Sequence, residues 1–481
     1  MRLQVVFRYI GMVLLFESAF MLLSAIISYA NGIDGGFAPL LLSFLFTALL
    51  GSFPLIFVGK SQRLSSKESY AIVIGAWLTS CIVGTFPYLL WGGEFSIVNA
   101  WFESVSGFTA TGASILNNIE ALPKGLLFWR SVTVWVGGAG VVMFALLILP
   151  SLGTNKMALS SVELSSLAKD NYRYRTQMVV RILLAVYIGL TIVTTLLLKV
   201  AGMRWFDAVN HAMSACATGG FSTKNASIGF YDSPLIEWIL IVVMFISSLH
   251  FGLIYSTFAR KSNNIFRSEV VRVYVLIIAV ATLAVGGWLY FSGIYDSILT
   301  SLRQSVFQVV SIITTTGFAT ANTNLWAPFA IVILIILSIV CGCAGSTSGG
   351  IKVDRILLYG KVLKARLRAQ QHPNAVIRVR LDGILQEDRH LNAVTLFLTT
   401  YFVLILVATL TSTLFGLDLL TAFSSSVAFI GNVGPGFGEV GSYDNYAAMP
   451  MLLKVQGTIL MLMGRLEIFG FIQFLFIRLW R

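Results

Sequence analysis

Along this chain, long mostly apolar stretches follow one another from end to end, parted by short polar segments. A helix needs about 20 such residues to cross a bilayer. Ten stretches predict one, over residues 5–30, 38–59, 69–92, 126–150, 178–201, 234–258, 270–293, 326–350, 391–416 and 450–478. Between members of the last eight lie four apolar segments too short to span, 97–110, 205–218, 300–315 and 419–432. Each runs into a turn of small residues around one glycine: SGFTATGAS from Ser106, SACATGGFS from Ser214, SIITTTGFA from Ser311 and AFIGNVGPG from Ala428. The glycine comes six residues after the first letter every time, at Gly112, Gly220, Gly317 and Gly434. A short helix and an irregular turn at membrane depth predict a re-entrant pore helix and filter, because such backbone is tolerated only where it is buried in protein or lines a cavity.

The expected fold is an all-α polytopic membrane protein. Two leading transmembrane helices (residues 1–67) precede four helix/pore-loop/helix repeats (68–155, 156–265, 266–375 and 376–481), arranged pseudo-fourfold around a central pore. The glycine spacings of 108, 97 and 117 residues make the repeat divergent. A carbonyl-lined cation filter needs backbone oxygens pointing inward at consecutive residues, which forces the chain through φ > 0, where glycine suffers little steric cost. The expected filter residues are Ala110, Thr111 and Gly112; Thr218, Gly219 and Gly220; Thr315, Thr316 and Gly317; and Asn432, Val433 and Gly434. Threonine offers a hydroxyl as well as a carbonyl oxygen. Copies two and three are the most alike, each followed by phenylalanine (Phe221, Phe318), where copies one and four have Ala113 and Pro435. Pore helices aimed at the cavity add the negative ends of their dipoles beneath a cation. No Lys or Arg stands within the turns, with Lys224 and Arg303 just outside them; an anion pore would place such residues at its constriction.

Composition narrows the class. Hydrophobic residues make up 57% of the 481 and charged residues 11%, against about 25% charged in soluble domains, and mean hydropathy is +0.84. One membrane domain fills the chain. The net charge of +12 raises the question of nucleic acid, but placement answers it. With a cytoplasmic N-terminus, 25 of the 33 Lys and Arg residues fall in inward-facing segments, at the N-tail, 60–67, 156–181, 260–272, 352–389 and the C-terminus. That is the positive-inside bias of a multi-pass protein with both termini cytoplasmic, and no nucleic-acid partner is expected. Cys81, Cys216, Cys341 and Cys343 lack the even spacing of a disulfide framework. The Cys341–Cys343 pair has no His or acidic residue at ligand spacing, and no metal site is expected there. The first apolar stretch lacks a clear cleavage site and reads as a retained helix.

These features resemble the Trk/Ktr/HKT superfamily of potassium transporters, most of all its TrkH-type subunits, over almost the whole length. Two extra leading helices and one filter glycine per pore-loop repeat are the matching traits. The resemblance implies that the four glycines belong to a potassium filter, with potassium the transported substrate and no organic cofactor in the chain. Relatives with serine at the first position tend toward sodium, so glycine at all four implies potassium, although every copy departs from the potassium-channel pattern Thr-Val-Gly-Tyr-Gly. It further implies a bacterial cytoplasmic (inner) membrane, a homodimer, and a cytosolic ring of nucleotide-binding (NAD or ATP) regulatory subunits of TrkA type.

The third repeat carries a second signal. Its apolar run from Ala327 to Val340 meets Gly342, Cys343, Ala344, Gly345, Ser346, Thr347, Ser348, Gly349 and Gly350. Each glycine costs a helix about 1 kcal/mol, so a break is predicted, just below the filter. In TrkH-like proteins the matching segment is an intramembrane loop obstructing the pore, which implies a gate over 342–350 with Gly345, Ser346, Thr347, Ser348, Gly349 and Gly350 at its heart. Arg465 sits near the middle of an otherwise apolar span. An arginine there costs about 2.5–3.5 kcal/mol unless it finds acceptors. Glu467, two residues on, faces elsewhere on a helix, so carbonyls freed by the broken loop are the expected partners. Arg465 is thus expected to hold the gate closed.

Trp135, Gly137, Gly138 and Gly140 read as close helix packing beside the filter. Glu17, deep in the first helix, reads either as a proton site or as a hydrogen-bonded structural residue. The basic segment from Lys352 to Arg380, with Lys361, Lys364, Arg366 and Arg368, suits anionic membrane lipid as well as a cytoplasmic partner; the resemblance favours docking. No G-x-x-x-x-G-K-[ST] loop occurs, so any nucleotide belongs to the partner. An enzyme is not expected: no His-Glu-x-x-His or Gly-x-Ser-x-Gly is present, and His211, His250, His372 and His390 are scattered. His211 reads as structural. A carrier for organic solutes usually shows two-part inverted repeats without filter turns. Ion-coupled secondary transport driven by protons or sodium stays open on these residues.

Overall fold

A computed structural model describes residues 1–59, 64–148, 176–258, 265–372 and 378–475. Helices α1 (Leu3–Ala30) and α2 (Phe37–Phe57) form an antiparallel pair. A β-carbon on Gly11 would lie 2.6 Å from the Gly51 carbonyl oxygen, and one on Gly51 2.9 Å from that of Gly11. The two backbones therefore touch, as small residues permit in membrane helices. Helix α3 (Ser66–Gly84) starts on a capping box. The Ser65 hydroxyl accepts from the Glu68 amide at 3.2 Å, and the Glu68 carboxylate accepts from the Ser65 amide at 2.9 Å.

From there one order of elements recurs. Helix α3 continues through α4 (Phe86–Trp91) to a short helix α5 (Ile97–Phe108), a turn at Gly112 and the long α6 (Lys124–Ile148). Next come α7 (Thr176–Val200), the short α8 (Trp205–Cys216), the Gly220 turn, α9 (Pro234–Ser247) and α10 (Phe251–Phe258). The third set is α11 (Glu269–Phe291), the short α12 (Ile298–Ile313), the Gly317 turn, α13 (Pro328–Val340) and α14 (Val353–Gln371). The fourth is α15 (Asp388–Leu414), the short α16 (Leu419–Gly431), the Gly434 turn, α17 (Met451–Arg465) and α18 (Ile468–Leu475). Between α14 and α15 a small hairpin pairs β1 (Arg380–Leu381) with β2 (Ile384–Leu385). Its turn residues Asp382 and Gly383 have φ of 48° and 80°, the two positive values that an Asp-Gly hairpin turn supplies.

The surface is apolar as well as the core, and small polar residues gather among the buried ones. Leu49, Phe53, Ile56 and Phe57 of α2 are exposed, whereas Ser104, Ser106, Thr109, Thr111, Ser214, Ser311, Thr314 and Thr316 are buried at the centre. Among the described residues six helices are long and apolar enough to cross a membrane, or seven if the bent pair α9–α10 counts as one. The buried short helices and their turns form the centre of the fold.

Four of the ten apolar stretches are interrupted, one of them, 326–350, where a break is expected. The 126–150 stretch kinks at Gly140, where φ is 32° and ψ is −120°. The 234–258 stretch is two helices meeting at 101°. The 326–350 stretch stops being helical at Val340, and the 450–478 stretch breaks at Leu466–Glu467. The expected boundary at 155/156 lies outside the described residues, as do much of the basic segments at 60–67, 156–181 and 260–272, residues 373–377, and the last residues, 476–481.

Candidate functional site

The four turns share one backbone construction. The amide of Thr111 donates to the Ser106 carbonyl at 2.9 Å, Gly219 to Ser214 at 3.0 Å, Thr316 to Ser311 at 2.9 Å and Val433 to Ala428 at 2.9 Å. One residue earlier Ala110, Thr218, Thr315 and Asn432 donate to Gly107, Ala215, Ile312 and Phe429. This nested pair is the Schellman end of a helix, which requires a left-handed residue where the helix stops. Ala110, Thr218, Thr315 and Asn432 supply it, at φ of 50°, 53°, 59° and 53°. Of the four only asparagine is a customary choice there, and a β-branched threonine at positive φ is an outlier. Such residues cost about 1–3 kcal/mol each and persist where the surroundings over-determine them, chiefly at functional sites. Two residues later the glycines are left-handed again, at φ of 81°, 67°, 76° and 99°.

The turns also meet in order. A β-carbon on Gly112 would strike the Gly219 carbonyl oxygen, one on Gly220 that of Thr316, one on Gly317 that of Val433, and one on Gly434 that of Thr111, every one closer than 3.0 Å. Each glycine thus abuts the carbonyl that precedes the next glycine, and the fourth returns to the first. All four glycines line one open pocket, with Pro435 and Tyr446 on its wall. The expected residues at 110–112, 218–220, 315–317 and 432–434 are brought together, and the eight that precede the glycines are buried. The copies differ in side-chain bonding. Thr109 and Thr111 share a hydroxyl contact at 2.7 Å, as do Thr314 and Thr316, while the Asn432 amide donates to the Thr111 hydroxyl at 2.9 Å and the Met461 carbonyl at 3.0 Å.

On the far side of the turns from the pocket lie the helix interruptions. Gly140, Ser248 and Gly345 stand 28 residues after their glycines, and Leu466 stands 32 after Gly434. A broken helix frees backbone groups that need partners in a membrane. Here they partner one another. The Cys343 amide donates to the Ser248 carbonyl at 3.0 Å, and the Phe251 amide to that of Gly345 at 3.2 Å. The Thr347 hydroxyl lies 3.1 Å from both the Ser247 carbonyl and the Cys216 carbonyl at the end of α8. Arg465 donates to the Thr347 carbonyl at 2.7 Å and, from the other side, to Gly137 at 2.7 Å and Gly138 at 3.2 Å. The Gly349 amide donates to the Thr315 hydroxyl at 2.9 Å, which seats the 345–350 segment directly against the third turn.

Lys352 went unremarked in the sequence except as the start of the basic segment. Its ammonium donates to the Ser348 carbonyl and, at 3.0 Å, to that of Gly349. The Ser-Ser-Leu-His break at 247–250 was equally missed, although four such residues inside an apolar run are a visible signal. Glu467, set aside as a partner for Arg465, pairs instead with Arg355 at 2.5 Å. Gly137 and Gly138 pack as closely as expected, a β-carbon on the first striking the Phe108 carbonyl and on the second Ala217, while their carbonyls also hold Arg465. Glu17 is buried, and neither carboxyl oxygen has a hydrogen-bond partner among the described residues. All four cysteines are buried free thiols, and among the described residues no three His, Cys, Asp or Glu side chains cluster as metal ligands.

Comparison with known proteins gives the family and the overall fold. A sequence model of the TrkH family, described as a cation transport protein, matches residues 40–479. The chain is 36% identical to the Trk system potassium uptake protein TrkH of Salmonella typhimurium, and 35% identical to that of Escherichia coli (strain K12), each over 100% of both chains. It is 35% identical to the Trk system potassium uptake protein TrkI of Halomonas elongata over 86% of this chain and 84% of that one. Its fold matches the crystal structure of the potassium transporter TrkH from Vibrio parahaemolyticus with a TM-score of 0.89 at 32% identity, covering 100% of each chain.

Proposed function

Because this chain belongs to the TrkH family of cation transport proteins, and not to a family of enzymes, we propose that it takes up potassium across the cytoplasmic membrane through a filter built from its four glycine turns. The observation that carries the reading is the closed order in which Gly112, Gly220, Gly317 and Gly434 abut the carbonyls of Gly219, Thr316, Val433 and Thr111. Carbonyls in a ring replace the hydration shell of a potassium ion, and four chain segments supply them from four sides. The short helices end at the ring, so the negative ends of their dipoles face the dehydrated cation. In this reading residues 68–155, 156–265, 266–375 and 376–481 are four pseudo-fourfold quarters behind a leading helix pair, 1–67.

The gate is the 345–350 segment together with Arg465. Its closure is supported by what the segment touches: the Thr315 hydroxyl of the third turn, the Cys216 carbonyl at the end of α8, and through Arg465 the carbonyls of Gly137 and Gly138. Lys352 adds a second fixed cation among carbonyls where a hydrated potassium would otherwise sit. An ion leaving the filter inward meets donors and positive charge in place of acceptors. Opening requires Arg465 to release three carbonyls at once.

Helix α14 and the β1–β2 hairpin form a cytoplasmic surface against the start of α11. The Lys361 ammonium pairs with Glu269 at 2.6 Å, and the Asp382 carboxylate accepts from the Ser268 hydroxyl at 2.9 Å. This basic surface continues from the gate and suits a cytosolic nucleotide-binding ring of TrkA type acting on a homodimer. Both termini then face the cytoplasm.

Flux of potassium, rubidium and sodium into liposomes carrying the protein tests the filter. Wild type is expected to pass potassium and rubidium well ahead of sodium, with the margin reduced in Gly317→Ser. Equal permeability to all three ions, unaffected by the substitution, would remove the filter assignment.

A further inference from the structure

Nine residues before each glycine, on the inner turns of the short helices, stand Glu103, His211, Gln308 and Ser425, all buried. In the first segment the Glu103 carboxylate accepts from the Ser114 hydroxyl at 3.0 Å and the Ile115 amide at 3.0 Å. In the second, a ring nitrogen of His211 is hydrogen-bonded to the Ser222 hydroxyl at 2.9 Å. Ser114 and Ser222 both lie two residues after their glycine, so the same post supports the same place on two strands. The third segment has Ala319 there, and the Gln308 side-chain nitrogen has no hydrogen-bond partner among the described residues. The fourth has Gly436, and the support passes to the Ser424 hydroxyl, which accepts from the Phe437 amide at 2.9 Å.

The first support has an addition that, among the described residues, His211, Gln308 and Ser425 do not share. Arg130 of α6 is 1% exposed and Glu103 is 0% exposed, and two guanidinium nitrogens reach one carboxylate oxygen at 2.8 Å each. The same guanidinium donates to the Ser222 carbonyl at 3.2 Å and the Ser114 hydroxyl at 3.3 Å, and lies 4.1 Å from the centre of the Phe221 ring. One side chain therefore grips the first short helix, the strand after Gly112 and the strand after Gly220. Stability does not account for this, since apolar replacements of a buried ion pair are often as stable or more so. The rigid five-donor fork of arginine is suited to fixing distances between elements.

We infer that Glu103 and Arg130 are positioning residues that hold the first and second turns apart behind the filter and thereby set its preference for potassium over sodium. The inference rests on reading the turns as a filter. In the cavity-size account of selectivity, a carbonyl ring discriminates against a smaller cation when something resists its contraction. Here that resistance is graded at the positions nine before the glycines: an ion pair spanning the first two turns, an imidazole–hydroxyl bond in the second, and the neutral side chains of Gln308 and Ser425 in the third and fourth. Selectivity then depends on the first two quarters more than on the last two.

The test is the potassium-to-sodium permeability ratio, from reversal potentials in bilayers, for wild type, Arg130→Lys, Ser114→Ala and the apolar double variant Glu103→Met/Arg130→Met. The double variant leaves no unpaired buried charge, so its assembly is preserved. The expected result is a ratio lowered several-fold in Arg130→Lys and further in the double variant, with potassium current retained, and lowered about twofold in Ser114→Ala. Assembled double variant and Arg130→Lys proteins with the wild-type ratio would overturn the inference. Gly317→Ser, measured alongside, separates the two claims: a lowered ratio there with unchanged brace variants removes the brace alone, whereas no change in any variant removes the filter reading itself.

Discussion

The four turns and the four helix interruptions beneath them are built on opposite plans. Ala110, Thr218, Thr315 and Asn432 have unlike side chains, yet their φ values fall within 50–59° and their helix-end hydrogen bonds repeat one for one. The interruptions repeat in depth and in nothing else. One is a kink at Gly140, one a 101° bend at Ser248–His250, one a loop from Cys341 to Lys352, and one a two-residue break at Leu466–Glu467. Uniform backbone with variable side chains suits a task performed by carbonyls. Variable backbone joined through a few side chains, Thr347 and Arg465 above all, suits a task that needs one element to move against the others.

The sharpest way to break this contrast is to remove the hub. Arg465→Ala deletes three hydrogen bonds from a charged group to carbonyls, each worth about 1.5–3 kcal/mol net. With about 1.4 kcal/mol per tenfold, liposome rubidium uptake is expected to rise at least tenfold with potassium-to-sodium preference intact; unchanged or lower uptake counts against the gate. Thr347→Val is smaller in effect. It keeps the carbonyl that Arg465 holds but loses the hydroxyl bonded to Cys216 and Ser247, about 1 kcal/mol, so open probability in single-channel records is expected to rise a few-fold, with Thr347→Ser restoring it. Smallest is Ala110→Gly, which relieves a left-handed alanine in a turn. The detergent-solubilised protein is expected to gain about 1 kcal/mol of stability in thermal unfolding, with transport unaltered. A change in selectivity there would mean that the side chain at this position, and not the backbone alone, shapes the filter.

The same contrast decides what was readable from sequence. The short helices lie within two residues of the segments inferred from the apolar pattern, and the six-residue interval to each glycine has a physical cause. It spans the accepting carbonyl of the Schellman end, at Ser106, Ser214, Ser311 and Ala428, and the second left-handed residue. Local hydrogen bonding fixes that interval, so it survives divergence of the side chains. The interruptions are tertiary. Gly342 to Gly350 announces one, but Arg465-Leu466-Glu467 contains neither Gly nor Pro, and its break accompanies the pairing of Glu467 with Arg355 on another helix. The hairpin at Arg380–Leu385 was hidden inside a basic segment, although its Asp-Gly pair is a turn signal. Arg130 escaped notice for a different reason. The rule that singled out Arg465, a charge amid apolar residues, applies equally to Arg130 within Phe128-Trp129-Arg130.

Whether four unequal turns make one potassium filter is decided by anomalous diffraction from crystals soaked in rubidium or thallium(I). A peak is expected on the axis enclosed by the carbonyls of Thr111, Gly219, Thr316 and Val433, roughly equidistant from the four oxygens and lost when lithium replaces the heavier ion. Bound ions lying only outside that ring, with no density among the four carbonyls, would contradict the filter assignment.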